Sequence, residues 1–167
     1  YETFKEAIVE AIDLSAPCLK VGAHEAEYCT KSTVRYRQMD ALTTDYDDNT
    51  FDLVTSTMLI HELPPAEINQ LFEEATRVLA PGGRMAHLDF HHVPNAFARF
   101  IHDGHARRNN EPFMSPWADI DPVALMADKG LINIAIIPFQ EADDVDLLNN
   151  PFWRFPWTIV YGEKAPA

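Results

Sequence analysis

The sequence predicts an α/β fold of the doubly wound type, in which helices cover a mainly parallel sheet. Two short apolar segments, 34–41 and 51–63, are the first observation. An amphipathic stretch follows at 65–79, and a third apolar segment lies at 84–90 behind Pro81-Gly82-Gly83. This order of strand, strand, helix and strand is typical of parallel sheets, which bind ligands at the carboxyl ends of their strands.

The first elements of the chain are short. Residues 1–8 have high helix propensity, and residues 9–13 predict a strand that ends in a carboxylate. Ser15 is a suitable N-cap, so we expect a helix from there to about residue 28. Residues 34–39, which contain β-branched and aromatic side chains, predict the next strand.

The central part of the chain carries the strongest pattern. Residues 51–59 are mostly apolar, as expected of a strand buried on both faces. The helix predicted at 65–79 has apolar residues at three- and four-residue intervals. These residues are Ile68, Leu71, Phe72, Ala75, Val78 and Leu79. Pro81-Gly82-Gly83 should end this helix and turn the chain into the strand at 84–90.

The C-terminal part is less regular. We expect a helix near 95–108 inside an insertion at 91–120, which is where a substrate cap would lie. Another helix is predicted to begin at Asp121-Pro122 and end at Gly130. Two last strands are predicted at 132–139 and 158–162.

Length and composition limit the classes of function. A chain of 167 residues with 47% apolar residues suits one domain over 1–167. Its formal net charge of −13 argues against nucleic acids and anionic membranes as partners. Cys18 and Cys29 have no metal-binding or redox spacing, and no apolar run is long enough for a membrane helix, so we expect a cytoplasmic protein. A homodimer is compatible with this composition.

Three phrases carry a resemblance to a known family. Gln38-Met39-Asp40-Ala41, Phe51-Asp52-Leu53-Val54 and the run 77–84 (RVLAPGGR) resemble, in this order, the class I S-adenosylmethionine-dependent methyltransferases that act on small molecules. The resemblance extends over about residues 9–90. It implies a Rossmann-like sheet with an antiparallel last strand, S-adenosyl-L-methionine as the cofactor, and methyl transfer to O, N or C of a small-molecule acceptor.

The resemblance also implies residues that bind the cofactor. Asp13 would accept hydrogen bonds from the ribose hydroxyls, and Leu14 would pack beside the adenosine. Asp40 would bind the adenine amino group, the Ala41 amide would meet a ring nitrogen, and Met39 would contact the adenine face. The structural alternatives are a carboxylate that stabilises the start of the next helix for Asp13 and an ordinary strand exit for Asp40.

The polar exit of the central strand is the next candidate. Ser56 or Thr57 would approach the methionine part of the cofactor, and the sequence does not distinguish them.

A glycine-rich loop of the G-x-G-x-G kind, which the family carries after its first strand, has no counterpart here. The sequence contains six glycines, which are Gly22, Gly82, Gly83, Gly104, Gly130 and Gly162. Helix-like residues directly precede the strand at 9–13, which leaves no room for a first strand, loop and helix. Two explanations remain open. Either residues near 8–9 are absent from this sequence, which we favour, or the domain lacks the loop.

Three histidines are candidate catalytic residues. His61 matches a histidine segment of the family beside the donor methyl, and His91 and His102 follow the neighbouring strand and the cap. We expect the three to converge on the mouth of the cofactor cleft. Methyl transfer mainly requires alignment, but an acceptor that must lose a proton needs a base with a near-neutral pKa.

Other classes of function stay open. His87, Asp89 and His91 alternate along one strand face and offer the donor set of an open metal site, although we expect no metal. A non-catalytic partner subunit would explain the missing glycine loop. A nicotinamide dehydrogenase would explain the carboxylate at the strand end but not the phrases of the family.

Overall fold

The computed structural model describes most of the chain. The chain divides into two compact units, residues 1–45 and 46–167. The described residues are 7–29, 34–91, 93, 95–138 and 157–167. Residues 7 and 8 are not helical, and the rest of the helix predicted at 1–8 lies outside the described residues. The expectation of a single domain remains a prediction.

The first unit is a parallel strand pair with one helix. It contains β1 (Val9–Asp13), α1 (Ala16–Cys29) and β2 (Val34–Gln38). The two strands are in register from the pair Val9 and Val34 to the pair Asp13 and Gln38. The prediction of two strands joined by a helix is confirmed, with boundaries that differ by one residue at most.

The second unit contains a four-stranded sheet in the order β3-β4-β6-β5. The strands are β3 (Phe51–Thr57), β4 (Leu79–Phe90), β5 (Leu131–Pro138) and β6 (Trp157–Lys164). Strands β3 and β4 are parallel, whereas β6 runs antiparallel to both β4 and β5. The predicted sheet, mainly parallel with an antiparallel last strand, is confirmed.

The helices of the second unit include two elements that the sequence did not predict. The helices are a 3₁₀ helix (Ile60–Glu62), α2 (Pro65–Val78), α3 (Ala96–Asn109), α4 (Met114–Ala118) and α5 (Pro122–Asp128). The 3₁₀ helix and α4 are too short for their apolar residues to show a period. Among the described residues, no helix has the length and apolarity needed to cross a membrane.

The predicted helix at 65–79 is α2, and its apolar face forms the core as expected. Pro65 occupies the first helical position, where its missing N–H costs nothing. Ile68 and Phe72 are fully buried on this face. Complete burial of such a side chain contributes about 1.5–3 kcal/mol.

Strand β4 begins earlier than predicted, at Leu79 instead of residue 84. Phe51 of β3 pairs with Leu79, but Leu53 pairs with Arg84, so the register between the two strands shifts. The residues of β4 between Leu79 and Arg84 therefore form an irregular segment within the strand. A Cβ atom at Gly83 would lie 2.8 Å from the Ala80 carbonyl oxygen, so only glycine fits there. The glycine pair therefore shapes an irregularity inside the strand and not a turn before it.

Candidate active site

Several polar side chains of the second unit lie at the carboxyl ends of β3 and β4. Ser56 pairs with His87 across the ladder, and Ser56 Oγ lies 2.8 Å from His87 Nδ1. Met58, which follows β3, adopts the left-handed conformation with φ 59°. This turn redirects the chain into the 3₁₀ helix, which brings His61 to the end of β4.

A buried pair formed by His61 and Asp89 is the centre of this region. His61 is 1% exposed and Asp89 is fully buried. His61 Nδ1 lies 2.7 Å from Asp89 Oδ1, while Asp89 Oδ2 accepts a hydrogen bond from the Ile60 amide at 2.8 Å. Because an ionised carboxylate only accepts hydrogen bonds, Nδ1 carries the proton of this bond.

The surroundings of His61 favour its charged form. Burial lowers the pKa of His61, but the hydrogen bond to Asp89 and the charge of Asp89 raise it, with further contributions from Glu62 and Glu111. The net effect is a raised pKa. His61 Nε2 lies 3.5 Å from Glu62 Oε1. One ligand atom each from His61, Glu62 and Glu111 lies within 4.8 Å of the others.

The pKa of His87 is shifted in the opposite direction to that of His61. Complete burial lowers its pKa to about 4, against a smaller opposite effect of Asp89. Its ring also contacts Phe72 edge-on at 5.3 Å between centroids. His87 therefore packs between the sheet and α2, which is a structural role.

The two other candidate histidines have different partners. His91 Nε2 donates a hydrogen bond to the Ile120 carbonyl at 3.0 Å, and its ring lies 4.7 Å from that of Trp117. His102 is 1% exposed in α3, and its burial lowers its pKa. The convergence of His61, His91 and His102 on one point therefore remains a prediction.

The three residues of the alternative metal set have different partners in the structure. His87, Asp89 and His91 are directed to Ser56, to His61 and to the Ile120 carbonyl, respectively. In the part of the chain that the structure describes, the three-ligand cluster is His61, Glu62 and Glu111 instead. Alternation along a strand places side chains on one face, but it does not determine which partners they meet.

In the first unit, the predicted cofactor residues lie at the carboxyl ends of neighbouring strands. The Met39 amide donates to the Asp13 carbonyl at 3.2 Å, which brings the segment 39–41 beside the end of β1. Asp13 is exposed, and its Oδ1 accepts a hydrogen bond from the Ser15 amide at 2.7 Å. Asp40 Oδ1 accepts one from the Leu42 amide at 2.9 Å. Each carboxylate retains lone pairs for further donors.

The remaining predicted cofactor residues are distributed over both units. Leu14 is 64% exposed beside Asp13, so its apolar side chain is available to a ligand. Ser56 and Thr57 lie at the end of β3 in the second unit. Their contact with a cofactor remains a prediction.

Comparison with known proteins identifies the family. Residues 1–83 match the family model described as a methyltransferase domain. A zebrafish (Danio rerio) protein named mitochondrial 2-methoxy-6-polyprenyl-1,4-benzoquinol methylase is 34% identical over 95 residues, which are 56% of this chain and 28% of that protein. The match thus spans less than a third of that relative.

Solved structures agree on the fold. The crystal structure of a putative methyltransferase from Bacillus halodurans superposes with a TM-score of 0.68 at 20% identity, covering 95% of this chain and 84% of that one. A crystal structure of a SAM-dependent methyltransferase from Methanosarcina mazei superposes with a TM-score of 0.65 at 14% identity, covering 96% of this chain and 83% of that one. The predicted resemblance is confirmed: this chain belongs to the family of class I S-adenosylmethionine-dependent methyltransferases.

Proposed function

We propose that the protein transfers the methyl group of S-adenosyl-L-methionine to O, N or C of a small-molecule acceptor. The observation that carries this proposal is the pairing of β1 with β2, which brings the Asp13 and Asp40 segments together at one strand edge. The family membership supports it independently.

The residues present fit the adenosine half of the cofactor. The carboxylates of Asp13 and Asp40 are acceptors, and ribose and adenine offer hydroxyl and amino donors. The exposed Leu14 side chain beside Asp13 offers an apolar contact. The part of the cofactor that the family holds with its glycine-rich loop has no matching residues in this sequence.

When bound, the cofactor supplies a methyl group on a positively charged sulfur. The chain's task is then to hold donor and acceptor in line and to exclude water. For an acceptor that must lose a proton, we propose His61 as the base. Asp89 holds the proton on Nδ1, so Nε2 is the nitrogen that can accept another.

The class of acceptor is proposed from the relatives. The zebrafish relative is named for a benzoquinol, which is a small organic molecule. A small-molecule acceptor also agrees with the net charge of −13, which disfavours nucleic acid. The second candidate, a non-catalytic partner subunit, is favoured by the missing glycine loop, and it predicts no cofactor binding.

Replacing Asp13 by Ala is expected to weaken binding of S-adenosylmethionine by about 10- to 150-fold. A hydrogen bond to a charged group contributes about 1.5–3 kcal/mol, which corresponds to that change in dissociation constant. Binding would be measured by titration calorimetry.

Asp128→Ala is the matched control, because this carboxylate is 74% exposed at the end of α5. Asp13→Asn tests folding, since its side-chain oxygen can still accept from the Ser15 amide. Equal affinities in the wild type, Asp13→Ala and Asp128→Ala would contradict the assignment of Asp13.

A further inference from the structure

Two carboxylates that the proposed cofactor site does not use, those of Glu62 and Glu111, each place an oxygen within 4.8 Å of a ring nitrogen of His61. Glu62 belongs to the same 3₁₀ helix, and its Oε1 lies 3.5 Å from Nε2. Glu111 comes from the connection between α3 and α4, where Asn110 in the left-handed conformation reverses the chain. The Glu111 amide donates to the Ala106 carbonyl at 2.9 Å, which fixes its backbone.

The charges of this cluster are one-sided. The groups that act electrostatically on His61 are three carboxylates, those of Asp89, Glu62 and Glu111. The Glu111 side chain is only 16% exposed, and its Oε2 accepts no hydrogen bond from the described residues, although His105 Nε2 lies 3.5 Å away. Burying a carboxylate without a compensating partner is costly. A cation bound between these carboxylates would compensate their charge.

We propose that His61 Nε2, Glu62 and Glu111 bind one divalent transition-metal ion. Asp89 would act as the outer partner that orients the imidazole, since metal-binding histidines commonly donate their other ring N–H to a carboxylate. One imidazole and two carboxylates suit Mn²⁺, Fe²⁺ or Zn²⁺ better than Ca²⁺ or Mg²⁺, which take oxygen ligands.

The three ligand atoms need to move only slightly to bind one metal ion. Ligand atoms about 2.0–2.2 Å from one metal lie at most about 4.4 Å apart. The three atoms already lie within 4.8 Å of one another, so closure requires a few tenths of an ångström. Glu62 is 54% exposed, so it can make this movement and leave the site open to solvent.

This site stands independently of the proposed methyl transfer. A metal ion on Nε2 excludes a proton there, so the base role of His61 belongs to the protein without the ion. Metal binding and cofactor binding involve different residues, and one can fail while the other holds.

The test is a titration of the protein with Mn²⁺ alone, with free Mn²⁺ followed by electron paramagnetic resonance. We expect one bound ion per chain. Glu62→Gln and Glu111→Gln should each weaken binding at least about 10-fold, and Asp89→Asn by about 10- to 100-fold. Glu62 is largely exposed, so its variant is expected to fold normally.

Glu73→Gln is the matched control, because it removes the same charge from the exposed face of α2. It should bind Mn²⁺ as the wild type does. A wild type that binds no stoichiometric Mn²⁺ up to millimolar concentration would overturn the proposal. Equal weakening in Glu73→Gln and Glu62→Gln would overturn it as well, because it would indicate attraction by net charge alone.

Discussion

The Asp89→Ala variant is expected to lose about 3–5 kcal/mol of its free energy of unfolding. Asp89 is fully buried, and it accepts hydrogen bonds from the His61 ring and from the amides of Ile60 and Phe90. Its removal leaves a buried imidazole without its counter-charge and amides without an acceptor. Breaking a buried pair from one side typically has this cost. Urea unfolding followed by fluorescence would measure it.

Asp52→Ala is the control for this experiment, since Asp52 lies exposed in the adjacent strand β3. We expect a change within about 0.5 kcal/mol there. Asp89→Asn should lose less than Asp89→Ala, because its side-chain oxygen still accepts from the amides. If Asp89→Ala were as stable as Asp52→Ala, the buried pair would not stabilise the fold.

Acidification is expected to destabilise the protein through His87. Its pKa is about 4 in the folded state and 6.5 for the ordinary imidazole. The folded value is the lower one, so the unfolded chain takes up the proton first and stability is lost as the pH falls from 6.5 towards 4. The difference corresponds to about 3 kcal/mol over the whole window.

His87→Gln removes this titration and isolates its effect. As the pH falls from 7 to 5, the wild type should lose about 2 kcal/mol more of its free energy of unfolding than this variant does. His24→Gln, at an exposed position, is the control for the substitution itself. A difference between the wild type and His87→Gln that stays constant from pH 7 to pH 5 would contradict the neutral, buried state of this imidazole.

The sequence pattern was sufficient for the elements with local signals. Strand β1 was predicted with its observed boundaries, and the face of α2 that contains Ile68 and Phe72 followed from its period. The start of β4 was missed because Pro81-Gly82-Gly83 is a turn signal locally, whereas in the fold the ladder resumes beyond it. Tertiary pairing decided that boundary.

The site was only partly predictable for a similar reason. The resemblance to the family indicates His61, and alternation with His87 along the strand indicates Asp89. The contact between His61 and Asp89 joins residues that are 28 positions apart, through a 3₁₀ helix that has no readable period. Glu111 gave no signal, because only the chain reversal at Asn110 brings it to the cluster.

The proposed methyl transfer is tested by titration calorimetry of the protein with S-adenosylmethionine, with its demethylated product S-adenosylhomocysteine, and with a nicotinamide dinucleotide. Methyl transfer requires a site that accepts both sulfur compounds, since one is the donor and the other the product. We predict one site per chain for each of them and no binding of the dinucleotide. Binding of the dinucleotide alone would indicate a dehydrogenase, and binding of none of the three would indicate a partner subunit; either result would contradict the proposed methyl transfer.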